Sequence, residues 1–251
     1  MNNNIIVREA ILDDLHYAET ITTEMAESAK ARGTGIAKRS PDYIKKKIEE
    51  GKAVIAVTDD GTWVGFCYIE AWENSQYVAN SGLIVSPPFR KSGVAREIKH
   101  KVFALSRKKY PDAKIFGLTT GLAVMKINSE LGYEPVTYSE LTRDEQFWKG
   151  CQSCVNYEIL MSKNRTNCMC TGMLFDPVEH AKKQAEKVKT VVTADGHIEH
   201  HKRREFEGNF KLFSRWVRFK QFVLLKAFGR KPDEEAGGEK KSSSFLGMFF
   251  W

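Results

Sequence analysis

The residues best suited to chemistry fall in three short stretches. Pro87–Ile98, PPFRKSGVAREI, packs two prolines, three basic residues, a glycine and small side chains ahead of an apolar-periodic run. A loop entering a helix there offers free backbone N–H groups and the positive end of the helix, a combination suited to a pyrophosphate. Gly93 and Ala95 permit close approach to the backbone, and Arg90 and Lys91 add charge. The same composition also suits a plain loop feeding a helix. Glu70 and Glu73 close a β-rich run and are the carboxylates placed to act as a general base, or to sit solvated; Tyr77 and Asn80 could instead guide a water. Arg32, Lys38 and Arg39 lie in the Gly-containing stretch ARGTGIAKRS, where guanidinium and ammonium groups suit carboxylates or simply face solvent.

The cysteines form a separate pattern. Cys151 and Cys154 make C-x2-C, thirteen residues follow, and Cys168 and Cys170 make C-x-C. Four thiolates in two close pairs suit tetrahedral Zn²⁺, which would brace the end of the domain and leave the reaction to other groups. Buried thiols and a redox pair are the other readings. Cys67, inside a strand, reads as core. His197, His200 and His201, with His180 upstream, read as a solvated basic helix, although His197 and His201 have metal-pair spacing.

The elements that must position these groups follow from periodicity. NNIIVREA alternates as a strand, and Asp13 and Asp14 open a helix over residues 13–31. Ser40-Pro41 starts a second helix through Glu50. Two β-rich runs around Asp60-Gly61 predict a hairpin, and YVANSGLIVSP a further strand stopped by Pro87-Pro88. Residues 93–109 place Val94, Ile98, Val102 and Leu105 on one helical face. KIFGLTT reads as a strand, AVMKINSEL as a helix ended by Gly132, and CVNYEILM as a late strand between the cysteine pairs. The result is a mixed α/β domain over residues 1–165, overlapping a Cys-rich segment at 150–176.

Charge separates the rest. The formal net charge of +7 is carried by Pro177–Lys231, at +8, while residues 1–176 are nearly neutral at +1. Residues 177–230 read as a basic amphipathic helical region, and 231–251 as a polar linker closing on the apolar FLGMFFW. Between Phe206 and Phe228 a wide apolar face with Phe210, Phe213 and Val217 opposes Lys211, Arg215 and Arg218. Such a helix suits an anionic membrane surface, a protein partner, its own domain or a second copy in a homodimer; the wide apolar face argues against nucleic acid. No secretory start and no run of about 18 apolar residues are seen, so the expected location is cytoplasmic, or peripheral at a membrane.

Arg90-Lys91-Ser92-Gly93-Val94-Ala95 resembles the R/Q-x-x-G-x-G/A signature of the GNAT acyltransferase superfamily. The lead-in strand GLIVSPPFR and the element order over roughly residues 5–162 fit the same family. The resemblance implies the GNAT fold, a mixed and mostly antiparallel sheet flanked by helices, here with a helical C-terminal appendage. It also implies acetyl-CoA or succinyl-CoA as acyl donor. The N–H groups from Lys91 to Ala95 would hold the pyrophosphate, Leu83, Ile84 and Val85 would pair with the pantetheine arm, and a splayed strand at Gly117–Thr120, with Thr119 and Thr120, would lie opposite. Many relatives place a tyrosine acid four residues before a Gly-Phe/Tyr pair; before Gly132-Tyr133 that position is Asn128, which holds a hydrogen bond but gives no proton. Ser129 or a water would then substitute, or the thiolate would leave unassisted. RGTGIAKRS, MKINSELGY and FWKGCQSCVNYEIL further resemble the N-acetylglutamate or N-succinylglutamate synthase type of bacterial arginine biosynthesis, which implies glutamate as the amine acceptor. The alternative expectation is an acyl-CoA-binding module without turnover.

Overall fold

The structure, a computed structural model, describes residues 4–33 and 38–189, with residues 32 and 186–189 as backbone alone. The basic helix at 206–228, the FLGMFFW tail and His197, His200 and His201 lie outside the described residues.

The chain opens with β1 (Ile5–Glu9), a 3-10 turn (Leu12–Tyr17) and α1 (Ala18–Arg32), followed by α2 (Pro41–Glu49). The buried carboxylate of Asp14 fixes the first turn. It accepts from Ile11 N at 2.8 Å and from the two Arg8 guanidinium nitrogens at 2.6 and 2.9 Å. Ser40 caps α2 by accepting from Tyr43 N at 3.2 Å, and Ile44 and Ile48, one turn apart, are buried beneath it.

The hairpin β2 (Ala53–Thr58) and β3 (Trp63–Trp72) continues into β4 (Tyr77–Val85), α3 (Val94–Lys109), β5 (Lys114–Thr119) and α4 (Leu122–Glu130). Beyond them come β6 (Glu134–Val136), α5 (Glu145–Lys149), α6 (Tyr157–Ser162), β7 (Thr171–Phe175) and α7 (Pro177–Lys189). The strands form one sheet in the order β1-β2-β3-β4-β5-β7-β6, antiparallel throughout except for the β4–β5 pair.

Both faces of the sheet are covered, so its inner strands read as unbroken apolar runs. In β2, Val54 and Ala56 face α3 with Ile98 and Val102, while Ala53, Ile55 and Val57 face α1 and α2 with Ile21, Met25 and Ile44. A third cluster, with Phe116, Tyr138, Trp148, Leu160 and Leu174, packs the other half of the sheet.

The late strand expected at CVNYEILM is not formed. Tyr157–Ser162 is the short helix α6, with Leu160 buried and Val155 72% exposed, a distribution that suits a surface turn of helix and not a central strand. The strand that joins the sheet is Thr171–Phe175, buried at every position between β5 and β6. The sheet domain therefore runs past residue 165. Among the described residues no helix is long and apolar enough to cross a membrane.

Candidate functional site

The site begins where two strands part. β4 and β5 pair only through Tyr77–Lys114, Val78–Ile115 and Ala79–Phe116, and from Asn80 and Gly117 onward they diverge. A buried network holds the point of divergence. Asn80 donates to Ser106 Oγ on α3 at 2.7 Å and accepts from Tyr133 Oη at 2.9 Å. Both ends of its amide are thus engaged. Tyr77 stacks edge-on against Phe116 and does not line the opening.

A second irregularity lies just above. Phe66 faces Ile84 and Tyr68 faces Ser81, so Gly82 and Leu83 together oppose Cys67. This is a one-residue β-bulge, and it turns backbone N–H and C=O groups out of the ladder. Gly82 has φ of 66°, and a Cβ there would lie 2.3 Å from the Tyr68 ring. Glycine is required for both reasons.

The opening leads into a cavity of about 280 Å³ between the splayed strands, α4 and the 138–170 region. Glu70 lines it, 5% exposed, with Oε2 3.5 Å from Arg39 Nη2. Burial pushes the Glu70 carboxyl above the ordinary carboxylate range, while Arg39 and a hydrogen bond to Ser81 pull the other way. Arg39 also donates from Nε to Tyr68 Oη at 3.0 Å and stacks over the Tyr43 ring at 4.8 Å. Of the three basic residues singled out in that loop, Arg39 reaches the cavity. Lys38 is exposed and meets Ser153 through its backbone N–H at 3.2 Å, and the Arg32 side chain lies outside the described residues. Glu73 faces elsewhere, accepting from Thr142 Oγ1 and Arg143 N at positive φ.

Asn128 lines the cavity at 1% exposure. Its Nδ2 lies 3.8 Å from Met173 Sδ, and its Oδ1 is buried with no partner. A buried acceptor in this state calls for a donor that arrives from the cavity. Ser129, one residue on, is exposed and is not part of the lining. Thr119, Thr120 and Leu83 line the cavity, whereas Ile84 is packed beneath α1 and α2 and Val85 against α3.

At the end of β4, Lys91 (φ 68°) and Gly93 (φ 95°) curl the loop so that α3 starts at Val94. The N–H groups of residues 91–95 donate to no backbone carbonyl among the described residues, and the space in front of Gly93 is open. This is a nest of unused donors at a helix N-terminus. Ser92 Oγ braces the loop by donating to Phe89 O at 2.7 Å. Arg90 is turned away. Its guanidinium donates to Val85 O at 3.0 Å, Glu24 Oε1 at 2.8 Å and Ser28 Oγ at 2.7 Å, so it ties the loop to α1.

Cys151, Cys154, Cys168 and Cys170 all line the same cavity, around Tyr138. Burial pushes the Cys151 thiol up to about 11, and the Cys170 thiol, hydrogen-bonded to Cys168, lies well above its ordinary value. Cys154 Sγ accepts from Asn156 N at 3.4 Å, and Cys168 Sγ lies 3.7 Å from Asn156 O. Among the described residues no group of three or more Cys, His, Asp or Glu side chains is placed to hold a metal ion. The zinc knuckle expected from the spacing finds no such ligand set among the described residues. The segment between the pairs is the helix α6 and a loop, and it leaves the four thiols close enough to act on one another around Tyr138.

Sequence reasoning missed Tyr68, the bulge and Lys99. A glycine inside a strand was the available signal for the bulge. Lys99, on an otherwise apolar helix face, was the signal for a buried amine.

A mixed sheet with one splayed parallel pair, a bulge beside it and a donor nest where the bulged strand meets a helix defines the GNAT acyltransferase fold. Residues 22–123, about two fifths of the chain, match the acetyltransferase (GNAT) family. No curated protein matches the chain. Among solved structures it is similar to N-acetylglutamate synthase from Neisseria gonorrhoeae complexed with coenzyme A and N-acetyl-glutamate, at 16% identity and a TM-score of 0.49 over 70% of this chain. The match spans 36% of that synthase, about a third of its length. A Mycobacterium tuberculosis protein in complex with CoA is similar at 18% identity and a TM-score of 0.48, over 68% of this chain and 98% of that one. A phosphinothricin acetyltransferase from Sinorhizobium meliloti in complex with AcCoA is similar at 16% identity and 0.46, over 68% and 88%.

Proposed function

We propose that the chain is an acyl-CoA-dependent N-acyltransferase that acylates the amine of a small amino acid. The observation that carries the reading is the layout along β4: its bulged residues Gly82 and Leu83 line the cavity with Glu70, and the donor nest at residues 91–95 follows where the strand ends. A pyrophosphate matches the nest. An extended amide-bearing arm matches the unpaired edge of β4, where the bulge at Gly82-Leu83 supplies a backbone donor for a thioester carbonyl. Asn128 Oδ1 accepts an amide N–H of that arm.

In this reading Glu70 takes the proton from the attacking amine, directly or through a water, and its raised pKa brings it nearer to that task. Arg39 binds the acceptor carboxylate and limits the rise of Glu70. The resemblance to the arginine-biosynthesis synthases names glutamate as the acceptor and acetyl-CoA or succinyl-CoA as the donor. The test is thiol release from both donors with a panel of amino acids. Release with glutamate above all others supports the full reading, and release with another amino acid keeps the class and changes the acceptor. CoA binding without release for any acceptor overturns it in favour of a binding module.

A further inference from the structure

One buried amine has no place in that scheme. Lys99 sits on the second turn of α3, is 2% exposed and lines the same cavity as Glu70 and Asn128. Its ammonium lies 5.3 Å from the centre of the Tyr133 ring, which supports a cation through its face. No ion pair or hydrogen bond to Lys99 is formed among the described residues. A buried ammonium without a counter-charge is costly, so a structural role alone does not account for it. Hydrophobic residues of that length would fill the position at no such cost.

The titratable groups of the cavity fall into two main sets, joined where Arg39 acts on Cys151. Arg39, Tyr68 and Glu70 act on one another, and the four cysteines act on one another and on Tyr138. Lys99 belongs to neither. From β3 it is faced by the Cys67 thiol, pushed up to about 11 by burial, and from the loop after α4 by the Tyr133 phenol, raised well above its usual range. Both stay neutral at physiological pH, and Tyr133 is engaged by Asn80. Burial lowers the Lys99 ammonium from its ordinary value, toward the range in which an amine gives up a proton readily.

The reaction class lacks a proton donor. Asn128 occupies the place of the tyrosine acid and has no acidic proton, and Ser129 faces solvent. We infer that Lys99 is the general acid that protonates the departing CoA sulfur. This inference rests on the acyltransferase reading. The amine nitrogen of the acceptor forms a bond to the thioester carbonyl carbon, and the carbon–sulfur bond breaks with its electron pair left on sulfur. Glu70 takes the proton lost by nitrogen, and Lys99 Nζ gives one to sulfur. Lys99 is left as a neutral amine and regains its proton from solvent after product release.

The experiment follows the thiol of CoA bound to the full chain, using thiolate ultraviolet absorbance from neutral to alkaline pH. Beside an ammonium the bound thiol ionises about tenfold more readily than free CoA. In Lys99→Met that gain disappears, and in Lys99→Arg, which keeps the charge, it is retained. Turnover falls about 100-fold in both variants with KM for the acyl donor little changed, because Arg does not release its proton. Lys99→Met removes a buried charge and is expected to fold; Lys99→Gln is the second variant. CoA that binds with a thiol titration indifferent to Lys99→Met overturns the inference and leaves the acyltransferase reading standing. An acyl adduct on Lys99 after incubation with acetyl-CoA also overturns it, since the amine would then be a nucleophile. Failure of CoA to bind at all overturns both.

Discussion

At the scale of single residues, the roles proposed for Arg39 and Glu70 predict the pH response of the site. Burial raises the Glu70 pKa and Arg39 opposes the rise. With Glu70 as the proposed base, working as the carboxylate, activity is expected to climb as pH rises through the folded-state value, which lies above the ordinary one. Arg39→Met removes the opposing charge, and the acid limb of the kcat/KM profile moves to higher pH; a limb that stays in place or moves down contradicts the assignment. Glu70→Gln lowers kcat by about 100-fold without loss of CoA binding. Asp14 works in the opposite sense. Its pKa is held below the ordinary value by Arg8 and Ile11 against the raising effect of burial, which is the largest single influence. Its contribution to stability is therefore complete above the unfolded-state pKa and is lost as pH falls through the lower folded-state one. Asp14→Asn costs about 2 kcal/mol at neutral pH, and the gap from the parent closes in acid, read by urea unfolding at both pH values.

At the scale of elements, the bulge in β4 is the feature on which the cleft depends. Gly82→Ala forces a Cβ toward Tyr68 at a positive φ and destabilises the protein by about 3 kcal/mol. Unfolding in denaturant measures the loss, and pantetheine-arm binding weakens with it. Elements with a strong period were legible in the sequence. Val94, Ile98, Val102 and Leu105 gave α3 its boundaries, and Asp60-Gly61 gave the hairpin. One element without a period and without a turn signal beside it was not. Thr171–Phe175 is buried on every residue, so it has no alternation to read, and a polar-flanked apolar run at 155–161 took its place in the prediction. The donor nest was visible as PPFRKSGVAREI because loop, glycine and helix start are local in sequence. The role of Arg90 was not, since Glu24 and Ser28, which hold it, lie more than sixty residues away.

At the scale of the whole molecule, the nest, the bulge, Asn128 and Glu70 come from four different elements, and the path proposed for acyl-CoA spans all of them. A ligand that spans them binds the folded state alone, so acetyl-CoA at about 100 times its Kd raises the unfolding free energy by about 2.7 kcal/mol. A thermal shift that fails to grow with acetyl-CoA concentration contradicts the path. Arg39, held by Tyr68, Tyr43 and Glu70, also belongs to this scale, because it joins the α1–α2 region to the sheet at the far end of the cavity.

The narrow pairing of β4 with β5 has a consequence for how the sheet comes apart. Three residue pairs join a four-stranded half to a three-stranded half. The sheet is in effect two plates hinged at Tyr77–Ala79, with the Asn80–Tyr133–Ser106 contacts as the pin. Amide exchange is then expected to show two cooperative blocks, β1–β4 and β5–β7, that open separately in the free protein. An acyl-CoA in the gap, as proposed, is expected to bolt the plates together, so that the blocks merge into one. The substrate would act as the missing length of sheet.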